Sequence, residues 1–174
     1  MEKEIFHQSE SIEDTILNFA DKKRKSVYLP QINVNLDQNS NVILIACGTA
    51  YHACMIAKYW LEELTNLNVS IDIASEYRYR KNKINKNSIG IVVSQSGETM
   101  DTLKCLNKFK VNKIPIISIV NVVNSSIARL SDFILPTLAG PEIGVASTKA
   151  FTSQLSVFIL LSLNFHQRIG EDKK

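Results

Sequence analysis

The 174 residues suit one domain of ordinary size, and 45% apolar with 21% charged residues is the balance of a globular chain rather than a disordered one. A formal net charge of +3, with lysines scattered between Lys22 and Lys113, argues against a nucleic-acid partner. The densest basic run, Lys22 to Lys25, reads as a solvated helix end. The three cysteines, Cys47, Cys54 and Cys105, fit neither a zinc ribbon nor a CxxC redox pair, and their odd number argues against a disulfide framework. A reducing, cytoplasmic setting is expected. The opening MEKEIFHQSE has no apolar core of a signal peptide. The longest uncharged apolar stretch, Ala150–Phe165, is broken by Thr152, Ser153, Gln154, Ser156 and Ser162 and falls short of the ~20 residues of a membrane span, so a buried helix and no membrane partner are expected.

In chain order, Ile5, Ile12, Ile16, Leu17 and Phe19 predict a helix over residues 4–20. Val27 to Ser40, with Pro30 and several Asn and Gln, reads as an irregular connector. Asn41–Cys47 is an apolar run bounded by polar residues, the pattern of a strand buried on both faces of a parallel sheet. Gly48 and Thr49 break it, and a helix follows over Tyr51–Thr65. Val69–Ser75 alternates as a second strand, and Ser88–Gln95 is a third, with a helix start at Glu98–Asp101. Ile114–Asn121 is a fourth strand, Ser126–Leu130 a short helix, and Phe133–Thr137 a fifth strand. A Gly/Pro loop then leads to a long apolar helix from Thr148. Strands alternating with helices predict an α/β fold: an open parallel sheet of about five strands in three layers, with helices on both faces. Residues 1–40 are expected to form an N-terminal helix and connector, and residues 41–170 the domain itself.

Ligands of such sheets bind beyond the carboxyl ends of the strands. Three polar loops lie there: Cys47–Ala50, Ser94–Thr99 and Val145–Thr148. In the second, the hydroxyls of Ser94, Ser96 and Thr99 surround Gly97 where a helix begins, a setting for an anion. No lysine follows the glycine, so this is no Walker A loop, and neutral donors would meet the ligand's charge. The same residues also describe a plain strand–turn–helix with Ser96 or Thr99 as N-cap, and residue chemistry leaves both readings open. In the first loop Gly48 and Thr49 offer an amide and a hydroxyl. Cys47 reads as a small residue at a strand end rather than a nucleophile, because no histidine is placed to activate it. His7, His52 and His166 read as surface or packing residues. The third loop offers Ser147 and Thr148, while Lys149 either neutralises a phosphate or faces solvent. Glu76–Arg80 is either a dimer or domain contact or a solvated strand extension. GxGxxG is absent, which counts against a dinucleotide cofactor.

Taken together, Ile45–Cys54 (IACGTAYHAC), Ser94–Thr99 (SQSGET), Glu142–Thr152 (EIGVASTKAFT), Ala74–Arg80 and the opening MEKEIFHQS resemble the glucosamine-6-phosphate synthase family, also called glutamine–fructose-6-phosphate aminotransferase (isomerizing). The resemblance covers nearly the whole chain, in order. It implies a sugar-isomerase (SIS) domain, flavodoxin/Rossmann-like, from the first of two tandem subdomains of an enzyme that turns fructose 6-phosphate and glutamine into glucosamine 6-phosphate and glutamate. It implies that Ser94, Gln95, Ser96, Gly97 and Thr99 surround the sugar phosphate. Cys47, Gly48, Thr49, Ser147 and the Val145 backbone then line the sugar side. Ala50 stands where many members carry serine, which removes one hydroxyl contact.

The resemblance further implies no cofactor, no metal, a homodimer, and partnership with a glutaminase and a second SIS subdomain. The family's acid–base groups, a Glu, a His and lysines, belong to that second subdomain and the C-terminal tail. Its glutaminase needs an N-terminal cysteine, whereas this chain starts Met-Glu. No catalytic residue is therefore expected in these residues, which read as an excised domain or a truncated product, inactive alone. The competing readings are a non-catalytic phosphosugar-binding module and a dimerising remnant with no ligand.

Overall fold

Five apolar runs become one parallel sheet in a computed structural model that describes residues 1–21, 26–29, 32–81, 83–144 and 146–171. The elements in chain order are α1 (Glu2–Phe6), α2 (Gln8–Phe19), β1 (Ala20–Asp21), β2 (Ser26–Val27), β3 (Asn41–Ala46), α3 (Gly48–Thr65), β4 (Asn68–Ile73) and α4 (Ala74–Tyr77). There follow β5 (Ser88–Ser94), α5 (Met100–Val111), β6 (Ile116–Val120), α6 (Ser126–Leu130), β7 (Phe133–Pro136) and α7 (Lys149–Glu171). The sheet order is β4-β3-β5-β6-β7 with every pair parallel, and β1 and β2 make a separate antiparallel ribbon.

A parallel sheet must be covered on both faces, and β5 and β6 are buried at every position. Val42, Leu44, Ile91 and Ile119 pack on one face with Phe19 of α2, Leu61 of α3, and Phe158 and Phe165 of α7. Ile45, Val92 and Val120 pack on the other with Tyr77 of α4, Phe109 of α5 and Ile127 of α6. The chain is thus a three-layer α/β domain. The apolar length of α7 is consumed within it, against α2 and α3. Among the described residues no helix is long and apolar enough to cross a membrane.

Three local readings are corrected. The expected single helix over residues 4–20 is two, interrupted at His7. Its buried stripe is Glu4, Ser11, Thr15 and Phe19, whereas Ile5, Ile16 and Leu17 are exposed. The reason is polar docking: Glu4 accepts from two distant amides and the Thr15 hydroxyl donates to the Thr137 carbonyl. The second strand ends at Ile73, and Ala74–Tyr77 is a helical turn that buries Tyr77 against Phe109, ring centroids 6.0 Å apart. Glu76–Tyr77 is therefore no strand extension. Gly48 and Thr49 form the first turn of α3 rather than a break before it. The basic run Lys22–Lys25 lies outside the described residues, as does Pro30.

The connector before β3 does more than join elements. Ile32, Val34 and Leu36 are buried while Asn33 and Asn35 are exposed, an alternation typical of a strand although no strand pairs with it among the described residues. Its carbonyls find a side chain instead. Arg168 of α7 donates from Nη1 to the Ile32 carbonyl and from Nη2 to the Val34 carbonyl, both at 2.7 Å. Buried carbonyls left without donors are costly. Arg168→Met keeps the apolar stem and removes both donors, and is expected to lower unfolding free energy by about 2 kcal/mol. Urea denaturation checks this; an unchanged midpoint would show that water replaces the guanidinium without loss.

Candidate functional site

β3 and β5 are neighbours with Ile45 opposite Val92, so Cys47 and Ser94 leave the sheet side by side. On one side of this pair the sheet continues to β4, and on the other to β6 and β7. The strand order therefore reverses between β3 and β5, which is where open α/β sheets form a ligand crevice.

After the buried Ser94 the chain turns at Gly97, whose φ is +65°, a region that side chains disfavour. A Cβ at Gly97 would also overlap the Ser125 side chain, because the turn presses against the start of α6, where Ile127 N–H donates to the Gly97 carbonyl at 3.0 Å. The Gly97 amide donates to Ser94 Oγ at 3.0 Å and the Glu98 amide to Ser96 Oγ at 3.2 Å. Thr99 is the N-cap residue of α5, yet its hydroxyl makes no cap bond and lies 2.9 Å from Ser94 Oγ. Among the described residues the first-turn amides of α5 thus have no side-chain acceptor. Of the hydroxyl protons on Ser94, Ser96 and Thr99, one is used between Ser94 and Thr99, leaving that of Ser96 and one of the pair free to donate. The simple N-cap reading of this loop is not what forms. Asp101, the acidic residue of the first turn, is paired with Arg78.

The neighbouring helix start is alike. Cys47 is the N-cap residue of α3 and makes no side-chain cap bond, and Gly48 enters the helix at a φ of +57° with Thr49 beside it. Two uncapped helix starts consequently adjoin at the switch point, and both dipoles favour an anion there.

Two carboxylates near these loops are already committed. Glu98 accepts from the Ser126 amide at 2.7 Å, and this bond holds its pKa below the usual range. Glu142 accepts from the Thr148 amide at 2.9 Å and the Ala150 amide at 3.3 Å, capping α7. Lys149 does not face solvent: it is buried, with Nζ 3.2 Å from His7 Nδ1. Ser147 is half-buried, and no hydrogen bond joins it to the other two loops among the described residues. Val145 lies outside the described residues. Sequence reasoning missed Asn121, at the end of β6, which ties the loops together. Its amide donates to the Gln95 carbonyl at 3.2 Å, its Nδ2 to the Gly140 carbonyl at 2.8 Å, and Thr137 Oγ1 donates to its Oδ1 at 3.3 Å. An open cleft of about 680 Å3 runs between Gln95, Asn121, Leu138 and Glu142. Among the described residues no three His, Cys, Asp or Glu side chains group closely enough to hold a metal ion.

A parallel sheet of this order with its polar loops at the switch point defines an open three-layer α/β domain, a class that takes small ligands at that point. Residues 35–163 match the SIS domain family, and the chain belongs to it. The chain is 49% identical over 163 residues to a glutamine–fructose-6-phosphate aminotransferase (isomerizing) of Brucella abortus, covering 94% of this chain and 27% of that protein. It is 43% identical over 171 residues to one of Zymomonas mobilis, covering 98% and 28%. It superposes with a TM-score of 0.89 and 39% identity on the C-terminal domain of glucosamine-fructose-6-phosphate aminotransferase from Francisella tularensis, covering 97% of this chain and 48% of that one. The chain therefore spans little more than a quarter of the curated relatives.

Because its folded pKa is lowered, Glu98 adds stability above its unfolded value near 4.5, and this is lost as pH falls through the folded value. Glu98→Gln is expected to flatten the acid side of a melting-temperature profile below that pH without moving the neutral side by as much. An identical acid slope in both proteins would show that the Ser126 bond does not persist in solution.

Proposed function

We propose that the Ser94–Thr99 loop, with the start of α5, holds the phosphate of fructose 6-phosphate or glucosamine 6-phosphate. On this reading the chain is the first SIS subdomain of a glutamine-dependent fructose-6-phosphate aminotransferase that makes glucosamine 6-phosphate. The observation that carries it is the pair of adjoining helix starts left without side-chain caps, beside hydroxyls with protons to donate. The names of the relatives supply the sugar. Cys47, Gly48, Thr49, Ser147 and the Val145 backbone line the sugar side, and Gln95 completes the phosphate loop. Residues 41–170 are the ligand-binding unit and residues 1–40 its N-terminal helical segment and connector. The chain works in the cytoplasm as part of a homodimer, with glutaminase and second SIS domains supplying ammonia and proton transfer.

Ser96→Ala/Thr99→Ala removes two of the three loop hydroxyls and is expected to weaken fructose 6-phosphate binding roughly tenfold to a hundredfold by calorimetry, with the far-ultraviolet spectrum unchanged. Equal affinity in the double variant would sink the phosphate assignment.

The second reading, binding without chemistry, draws support from the commitment of Glu98 and Glu142 to backbone amides. Aldose–ketose isomerisation needs a positioned base with a suitable pKa. The 174-residue chain, given fructose 6-phosphate with ammonia or glutamine, is expected to yield neither glucosamine 6-phosphate nor glucose 6-phosphate. Turnover that disappears on mutating Glu98 or Glu142 would place the catalyst within this chain.

A further inference from the structure

We infer that Glu4 is a positioning residue for the sugar-facing loop: from the N-terminal helix it grips the backbone at Ile143 and Gly144 and so sets where Ser147 stands. The inference rests on the phosphosugar reading and deepens it, since nothing in the sequence linked α1 to ligand binding.

Among its described residues the loop between β7 and α7 has no regular structure of its own. Ala139 is its buried apolar residue, while Ile143 is 91% exposed and Leu138 41%. It carries two left-handed residues, Leu138 at φ 50° and Gly140 at φ 67°, so it does not sit in its shape by default. Side chains from elsewhere fix it. Asn121 holds its first part through the Gly140 carbonyl, and Glu142 ties its end to α7. Between them, Glu4 Oε1 accepts from the Ile143 amide at 2.6 Å and the Gly144 amide at 2.9 Å. Glu4 is itself 8% exposed, an unusual place for a carboxylate, and its two amide donors account for it. Those bonds hold its pKa at about 2, so the grip persists at any working pH.

A second observation is steric. A Cβ on Gly144 would overlap Glu4 Oε2, so the carboxylate would have to shift to admit it. That shift moves the same carboxylate whose Oε1 holds the two amides. Gly144→Ala and Glu4→Ala therefore attack the same contact from opposite sides.

A residue that merely stabilises the fold would affect all ligands alike, whereas one that positions the sugar-facing loop discriminates between a phosphosugar and bare phosphate. The test uses the whole chain, with fructose 6-phosphate and inorganic phosphate as separate calorimetric probes. Glu4→Ala and Gly144→Ala are expected to weaken fructose 6-phosphate by about fivefold or more and inorganic phosphate by less than about twofold. Glu4→Gln keeps an oxygen for both amides and should recover most of the loss. In a Ser147→Ala background the Glu4→Ala effect should largely vanish, because the two act through one contact. Equal losses for both probes, additive losses with Ser147→Ala, or no loss at all would overturn the inference while leaving the phosphosugar reading standing. A wild-type chain that binds neither probe would overturn that reading, and this inference with it.

Discussion

Parallel pairing of β3 with β5, and of β5 with β6, brings their carboxyl ends to one edge of the sheet. Everything the site consists of depends on that. The residues after each strand have no choice but to converge, although Cys47, Ser94 and Asn121 are far apart in sequence. The strands can run parallel because each return passes through a helix lying on a face of the sheet, which also covers the apolar side chains of β5 and β6. The edge left open is polar because helix starts, with unpaired amides, fall there by construction.

The apolar core does not explain how the irregular segments are held. Arg168 supplies donors to the connector, Asn121 joins the Ser94–Thr99 loop to the segment after β7, and Glu4 and Thr15 dock the N-terminal helices. These bonds are directional and partly shielded from water, so they fix position more sharply than apolar contact does. The polar stripe of α1 and α2, with Glu4, Ser11 and Thr15 turned inward, is the consequence. A helix that docks on backbone amides and carbonyls rather than on a hydrophobic surface must bury its polar residues.

The same contrast explains what could be read from sequence. The five strands, the short helix at Ser126 and the long α7 were legible because continuous apolar runs such as IGIVVS admit few other fates. The Ser94–Thr99 loop was legible because a glycine among hydroxyls after such a run marks a strand-to-helix turn. The N-terminal helices misled because periodicity assumes that apolar residues face inward, and there they do not. The alternation of Ile32, Val34 and Leu36 was present in the sequence but masked by Pro30 and the surrounding Asn and Gln. Asn121, Glu98 and Glu142 act on partners 19, 28 and 6 residues away, through bonds that no local pattern announces.

Capping sorts the helices that follow the strands. α6 begins with Ser125, which accepts from the Ala128 amide, and with the Glu98 carboxylate on Ser126. α7 begins with the Glu142 carboxylate on Thr148 and Ala150. α3 and α5, which flank the switch point, have no such acceptor. A carboxylate at a helix start satisfies its amides and opposes its dipole, and so excludes a second anion from the same place. The helix-start dipoles left unopposed are thereby those of α3 and α5, while those of α6 and α7 are met within the chain. The Ser147 loop adjoins a start that is already neutralised. If the site takes a phosphosugar as proposed, its phosphate and sugar ends are told apart by which helix starts the chain leaves uncapped.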